Sequence, residues 1–371
     1  MINKRYITVI LGILLKMANP AIGQETPVNA SVTSETRLLL QNLHDMAKNG
    51  TMFGHQDDLV NGIHWKYKKD SSDIRTLVGD YPAVFGWDIG KLEINDRANF
   101  EGVLLDEIAK NVKLAYEKGG INTISWLCYN PVSPTETAKS TTDSTIHKLF
   151  SDATNLKRYD QWLDRVANYL KNLQASDGQS IPVVLRLFHE NTGSWFWWGK
   201  KHCTPEEYIK LYRYTVDYLK DKKKVNNVLF AYCTDKFKSR REFLERYPGD
   251  DYVDVIGADI YDGPKNHETF ITDATRMVTT MTEIAREKGK PSAIMETGYR
   301  QMPIQDWYTN FLYPVVRGSG LSYVMIWKNA RKSAFWGTYP GHIAADDFVK
   351  FSQKPDILFL SKISRHGVYR K

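Results

Sequence analysis

Eight short runs rich in β-branched and apolar residues, each bounded by turn residues, alternate along this chain with stretches whose apolar side chains recur at i, i+3, i+4 and i+7. The strand-like runs are residues 51–54, 83–89, 121–127, 182–188, 228–233, 253–260, 292–295 and 321–327; helical periodicity is clearest over 100–118, 156–173, 205–220, 269–288 and 306–316. Strands joined through a helix pair in parallel, and a parallel sheet must be covered by its helices. Eight such units favour closure over an open doubly wound sheet, so the expected fold is α/β, a single-domain (β/α)8 TIM barrel. Local chemistry agrees with this. Thr204-Pro205-Glu206-Glu207 sets a capping hydroxyl before Pro and two acids, and Gly119-Gly120 and Gly289 close helices. No Gly-rich nucleotide fingerprint, internal repeat or Pro/Gly/Ser linker interrupts the pattern; a long polar loop is expected over 130–155.

The chain opens with Lys4 and Arg5, an apolar run over 7–15 and the small residues of Ala21-Ile22-Gly23. That is the layout of an export signal, expected at 1–23 with the barrel over 24–371 and the protein periplasmic or extracellular. The run is too short to span a bilayer, and no second long apolar stretch follows. Loss of Lys4, Arg5 and Lys16 would lower the formal charge from +7 to +4, with cations interleaved among acids, which argues against a nucleic-acid partner. Cys128, Cys203 and Cys233 are odd in number and lack metal-like spacing, so no disulfide framework is expected. A monomer or weak dimer is expected.

Active sites of such barrels lie at the carboxyl ends of the strands. The fourth run ends Arg186-Leu187-Phe188-His189-Glu190 and continues into Asn191-Thr192-Gly193-Ser194-Trp195-Phe196-Trp197-Trp198-Gly199. A carboxyl walled by aromatics is held neutral by desolvation, as a general acid requires; the competing reading is an ion pair between Glu190 and Arg186, four residues apart on one strand face. The seventh run ends in Met295-Glu296-Thr297-Gly298, across the barrel from the fourth. Two carboxyl groups facing across a sugar-sized gap are what glycoside hydrolysis uses. Asp259 and Tyr261 end the sixth run, Trp126 the third and Trp327 the eighth, where a hydroxyl can orient a carboxylate and an indole can carry a pyranose ring. His55 and His64 stand near Asp57 and Asp58, but without a paired-histidine motif, so no metal and no cofactor are expected.

The segment from Phe188-His189-Glu190 to Trp198-Gly199 resembles the acid/base segment of glycoside hydrolase family 26, as do Phe53-Gly54-His55-Gln56, Gly86-Trp87-Asp88, Asp259, Tyr261 and Glu296-Thr297-Gly298. The resemblance spans nearly all of the chain after residue 23. It implies a retaining β-1,4-mannanase with Glu190 as acid/base and Glu296 as nucleophile. His189, Trp195, Tyr261, Trp327, Asp259, Trp126 and His55 are then expected to contact substrate or nucleophile, and the partner is β-mannan or its oligosaccharides. Leu127 stands where family members often carry histidine, and Lys328 where some carry arginine. Mixed-linkage β-glucan, β-1,3-xylan and a non-catalytic carbohydrate-binding role are the competing readings.

Overall fold

The computed structural model describes residues 26–139, 142–364 and 367–369; the expected export segment lies outside them. Eight parallel strands, β1 (Thr51–Gln56), β2 (Val84–Asp88), β3 (Ile121–Trp126), β4 (Val183–Leu187), β5 (Val228–Thr234), β6 (Val255–Asp262), β7 (Ser292–Tyr299) and β8 (Tyr323–Arg331), follow one another around the sheet. Closure is visible in the register, because Gly54 of β1 pairs with Val84 of β2 on one side and with Met325 of β8 on the other. The single-domain (β/α)8 barrel is thus the fold.

Strands β1 to β5 are buried along their whole length, since side chains fill the barrel on one face and helices cover the other. The helix Ala153–Lys171 shows why its sequence lies there: Tyr159, Trp162, Leu163, Val166, Ala167 and Leu170 form one buried stripe. Each large side chain in such a stripe contributes about 1.5–3 kcal/mol. Its start is set by the Asp152 carboxylate, which accepts from the Thr154 N–H at 2.7 Å. The helix Pro205–Asp217 opens on a reciprocal cap, the Thr204 hydroxyl accepting from the Glu207 N–H at 3.2 Å and the Glu207 carboxylate from the Thr204 N–H at 2.9 Å.

Differences from expectation have local causes. The helix expected from 100 begins at Leu105, because Ala98 and Leu104 pair across a short antiparallel bridge first. The stretch 306–316 is a wide turn, Tyr308–Leu312, followed by the short helix Tyr313–Val316. Pro314, which has no N–H to donate backwards, stands at that junction. The expected polar loop 130–155 contains the helix Thr145–Ser151. Two short strands were not expected: β9 (Ala334–Phe335) folds back on β8, and β10 (Ile357–Leu358) pairs with Thr51 and Met52 below the start of β2. Among the described residues no helix is long and apolar enough to cross a membrane.

Candidate active site

Strand β4 stops at Leu187 and the chain turns sharply, with Phe188 at φ +45° and Glu190 at φ +55°, where residues other than glycine are uncommon. The aromatic run following Glu190 holds this turn. Trp198 Nε1–H donates to the His189 carbonyl at 2.8 Å, Tyr208 donates to the Phe188 carbonyl at 3.1 Å, and the Phe188 ring packs edge-on against Trp197 and Trp198. Glu190 is thereby lifted into the cleft, half-buried, with Trp195 Nε1–H donating to its Oε2 at 2.6 Å. Burial, then the charges of Glu296 and Asp235, raise its pKa to about 8 against the opposing Trp195 hydrogen bond and Arg186 charge. At neutral pH it keeps its proton.

Glu296 lies in a different medium. Its Oε2 accepts from the Tyr261 hydroxyl at 2.6 Å and its Oε1 from Arg186 Nη2. Nη1 of the same guanidinium reaches both oxygens of Asp259, at 2.9 and 3.0 Å, and the Cys233 thiol donates to Asp259 at 3.1 Å. Burial works against the charge of Arg186, but Glu296 and Asp259 outweigh it and hold the group firmly protonated. Tyr261 is pushed up by burial and by Glu296, so it remains a donor. His189 is pushed well down by burial and then by Arg186, so it stays neutral beside this cluster.

The considered ion pair between Arg186 and Glu190 is not formed. The positive-φ turn breaks the two-residue alternation of the strand, so Arg186 points into the barrel while Glu190 leaves it. Trp195 is 41 % exposed beside Glu190, and Trp327 is half-exposed on β8. Three of the residues expected to contact substrate or nucleophile are fully buried in this structure. Trp126 is fully buried, its Nε1–H donating to Glu93 at 2.9 Å and its ring stacked on Tyr159. Asp259 is fully buried beneath Arg186. His55 is fully buried, bonded through Nδ1 to Asp58 at 2.7 Å, and the segment after β9 lies over it: a Cβ on Gly337 would stand 3.6 Å from His55 Nε2.

Leu127 uses its N–H on Asp88, at 3.1 Å, and Lys328 pairs with Glu101. Arg186, the hub of the cluster, was read from sequence only as a competing partner. The usable signal was its position inside an apolar strand, where a cation is costly to bury unless acids surround it. Among the described residues, His189, Asp259 and Glu296 bring potential ligand atoms within 4.8 Å of one another, but Arg186 already compensates both carboxylates.

A closed barrel with a neutral carboxyl on the turn after β4 and a charge-paired carboxylate on β7 has the pair of acids that carbohydrate cleavage uses. Comparison with known proteins places it further. Residues 28–313 match glycosyl hydrolase family 26, and the chain belongs to that family. It is 30% identical over 360 aligned residues to the mannan endo-1,4-β-mannosidase of Bifidobacterium adolescentis, covering 90% of this chain but 35% of that protein, so it spans about a third of that relative's length. Among solved structures it is similar to a family 26 β-mannanase of Bacteroides ovatus, at 40% identity and TM-score 0.87 over 91% of this chain and 98% of the other. A modular endo-β-1,4-mannanase of Cellulomonas fimi matches at 33% identity and TM-score 0.83, over 93% and 79% respectively.

Proposed function

We propose that this protein is a retaining glycoside hydrolase that cuts β-1,4-mannosidic linkages in mannan, galactomannan or glucomannan. The observation that carries the reading is the unequal pair: Glu190 holds its proton up to about pH 8, while both oxygens of Glu296 are engaged by Arg186 and Tyr261. Glu190 protonates the glycosidic oxygen as Glu296 attacks the anomeric carbon, giving a glycosyl ester on Glu296. Esterification removes the negative charge that helped to keep Glu190 protonated, so Glu190 then takes a proton from the water that cleaves the ester. The mannanases named among its relatives support mannose as the sugar. The export-type segment 1–23 supports action outside the cytoplasm.

Purified protein incubated with galactomannan and mannohexaose, beside lichenan and β-1,3-xylan, tests the substrate. Release of manno-oligosaccharides is expected, and cleavage of another polymer alone would replace the sugar assignment. Proton NMR of the first products tests the mechanism: the β anomer appears first under retention, and early α anomer would overturn it.

A further inference from the structure

The chain has ten tryptophans, and most of their indole N–H groups are committed. Trp65, Trp87, Trp126, Trp195, Trp197, Trp198 and Trp307 each donate to a named acceptor, and Trp162 is buried in the stripe of its helix. Two remain, Trp327 and Trp336. Both are half-exposed, and among the described residues neither indole N–H has an acceptor and no aromatic ring packs on either, although the Lys328 ammonium lies over the Trp327 ring at 5.2 Å. They are also neighbours, since the Trp336 N–H donates to the carbonyl of Lys328 at 3.0 Å in the β8–β9 hairpin.

Trp336 is seated against β7 beside the reacting carboxylate. Gly298, two residues after Glu296, has φ +139°, and a Cβ there would meet Trp336 Cβ and the Trp336 carbonyl oxygen at 2.8 Å each. The Tyr299 N–H donates to that same carbonyl at 3.3 Å, and Gly298 is paired with Tyr261, the donor to Glu296. Gly298 is two residues beyond Glu296 on β7, so the Trp336 backbone passes within two residues of the nucleophile. Trp336 therefore stands on the nucleophile's side, whereas Trp195 is hydrogen-bonded to Glu190, the group that protonates the leaving oxygen.

We propose that Trp336 is a substrate platform that walls the sugar on the non-leaving side of the scissile bond, paired with Trp327 and opposite Trp195. A half-exposed indole with an unspent N–H offers what a pyranose needs, a flat surface for its C–H groups and a donor for a hydroxyl. The glycine at 298 is then required because any side chain would displace this wall. The inference rests on the hydrolase reading above.

Aryl β-mannosides and β-mannobiosides with a 2,4-dinitrophenolate leaving group carry no sugar on the leaving side, and matched aryl β-glucosides serve as a parallel series. With these, Trp336→Leu, which keeps apolar volume but no flat face, is expected to lower kcat/KM about 10- to 100-fold, mostly through KM, and Trp336→Phe to recover most of it. Trp195→Ala is expected to harm mannohexaose cleavage more than aryl mannobioside cleavage. An unchanged KM in Trp336→Leu, or equal loss in the Phe and Leu variants, overturns the platform. If the wild type cleaves glucosides and no mannosides, the mannose reading fails while Trp336 is judged on the glucosides.

Discussion

Glu190 and Glu296 are the same side chain on opposite strands of one barrel, and their surroundings give them opposite chemistry. Around Glu190, burial behind the Phe188 turn and the acids Glu296 and Asp235 make a proton easier to keep than a charge, and outweigh the Trp195 hydrogen bond that favours the charge. Glu296 meets a guanidinium and a phenol, both donors aimed at its oxygens. The difference teaches that proton position here is set by what was placed around each carboxyl: aromatics on a strained loop in one case, an arginine buried inside a strand in the other.

Removing the charged member should have the largest effect. Glu296→Ala is expected to lose on the order of 10⁴-fold or more in turnover with the circular dichroism spectrum unchanged, and near-normal rates would refute its role. Arg186→Met strips the cation from between two buried carboxylates, so both stability and activity should fall, the former by about 3–5 kcal/mol in chemical denaturation. A stable, active Arg186→Met protein would mean that Asp259 and Glu296 do not need the pairing. The next test sharpens the contrast on the acid side. Trp195→Phe removes a donor that favours the charged form of Glu190, so the alkaline limb of the kcat/KM profile, near pH 8 in the wild type, should move to higher pH. A shift to lower pH would contradict the geometry.

The smallest effect is on stability. The Glu190 pKa is raised from 4.5 to about 8 by folding, so its contribution to stability is intact below pH 4.5 and is lost as pH rises through about 8. Glu190→Gln removes that cost. Its stability should match the wild type in acid and exceed it at pH 8 and above, by on the order of 1 kcal/mol after allowance for partial exposure. Equal unfolding midpoints across this range would show that Glu190 ionises freely in the folded protein.

Much of the fold was legible because barrels repeat a local rule. Each strand is apolar since both its faces are buried, and each helix shows one stripe, so runs such as 121–127 and 156–173 announce β3 (Ile121–Trp126) and the helix Ala153–Lys171 within a few residues. The short strands β9 and β10 were not legible, because two residues have no period and exist only where β8 and β1 offer free edges. The two glutamates could be singled out because each stood alone at the end of an apolar run. Trp126, Asp259 and His55 share that position in sequence, yet the loops and neighbours that bury them come from Glu93, Arg186 and Gly337, which lie far away along the chain.

The sequence by itself determined the barrel, its order of strands and the two carboxyl groups at its mouth, because these follow from periodicity and from residue type at strand ends. Only the tertiary structure decided which side chains at that mouth face the cleft, that Arg186 serves Glu296 and Asp259 rather than Glu190, and that Trp336 stands beside Gly298. Those outcomes depend on a two-residue break in strand alternation and on a hairpin folding back over the barrel, and such long-range contacts leave no local pattern to read.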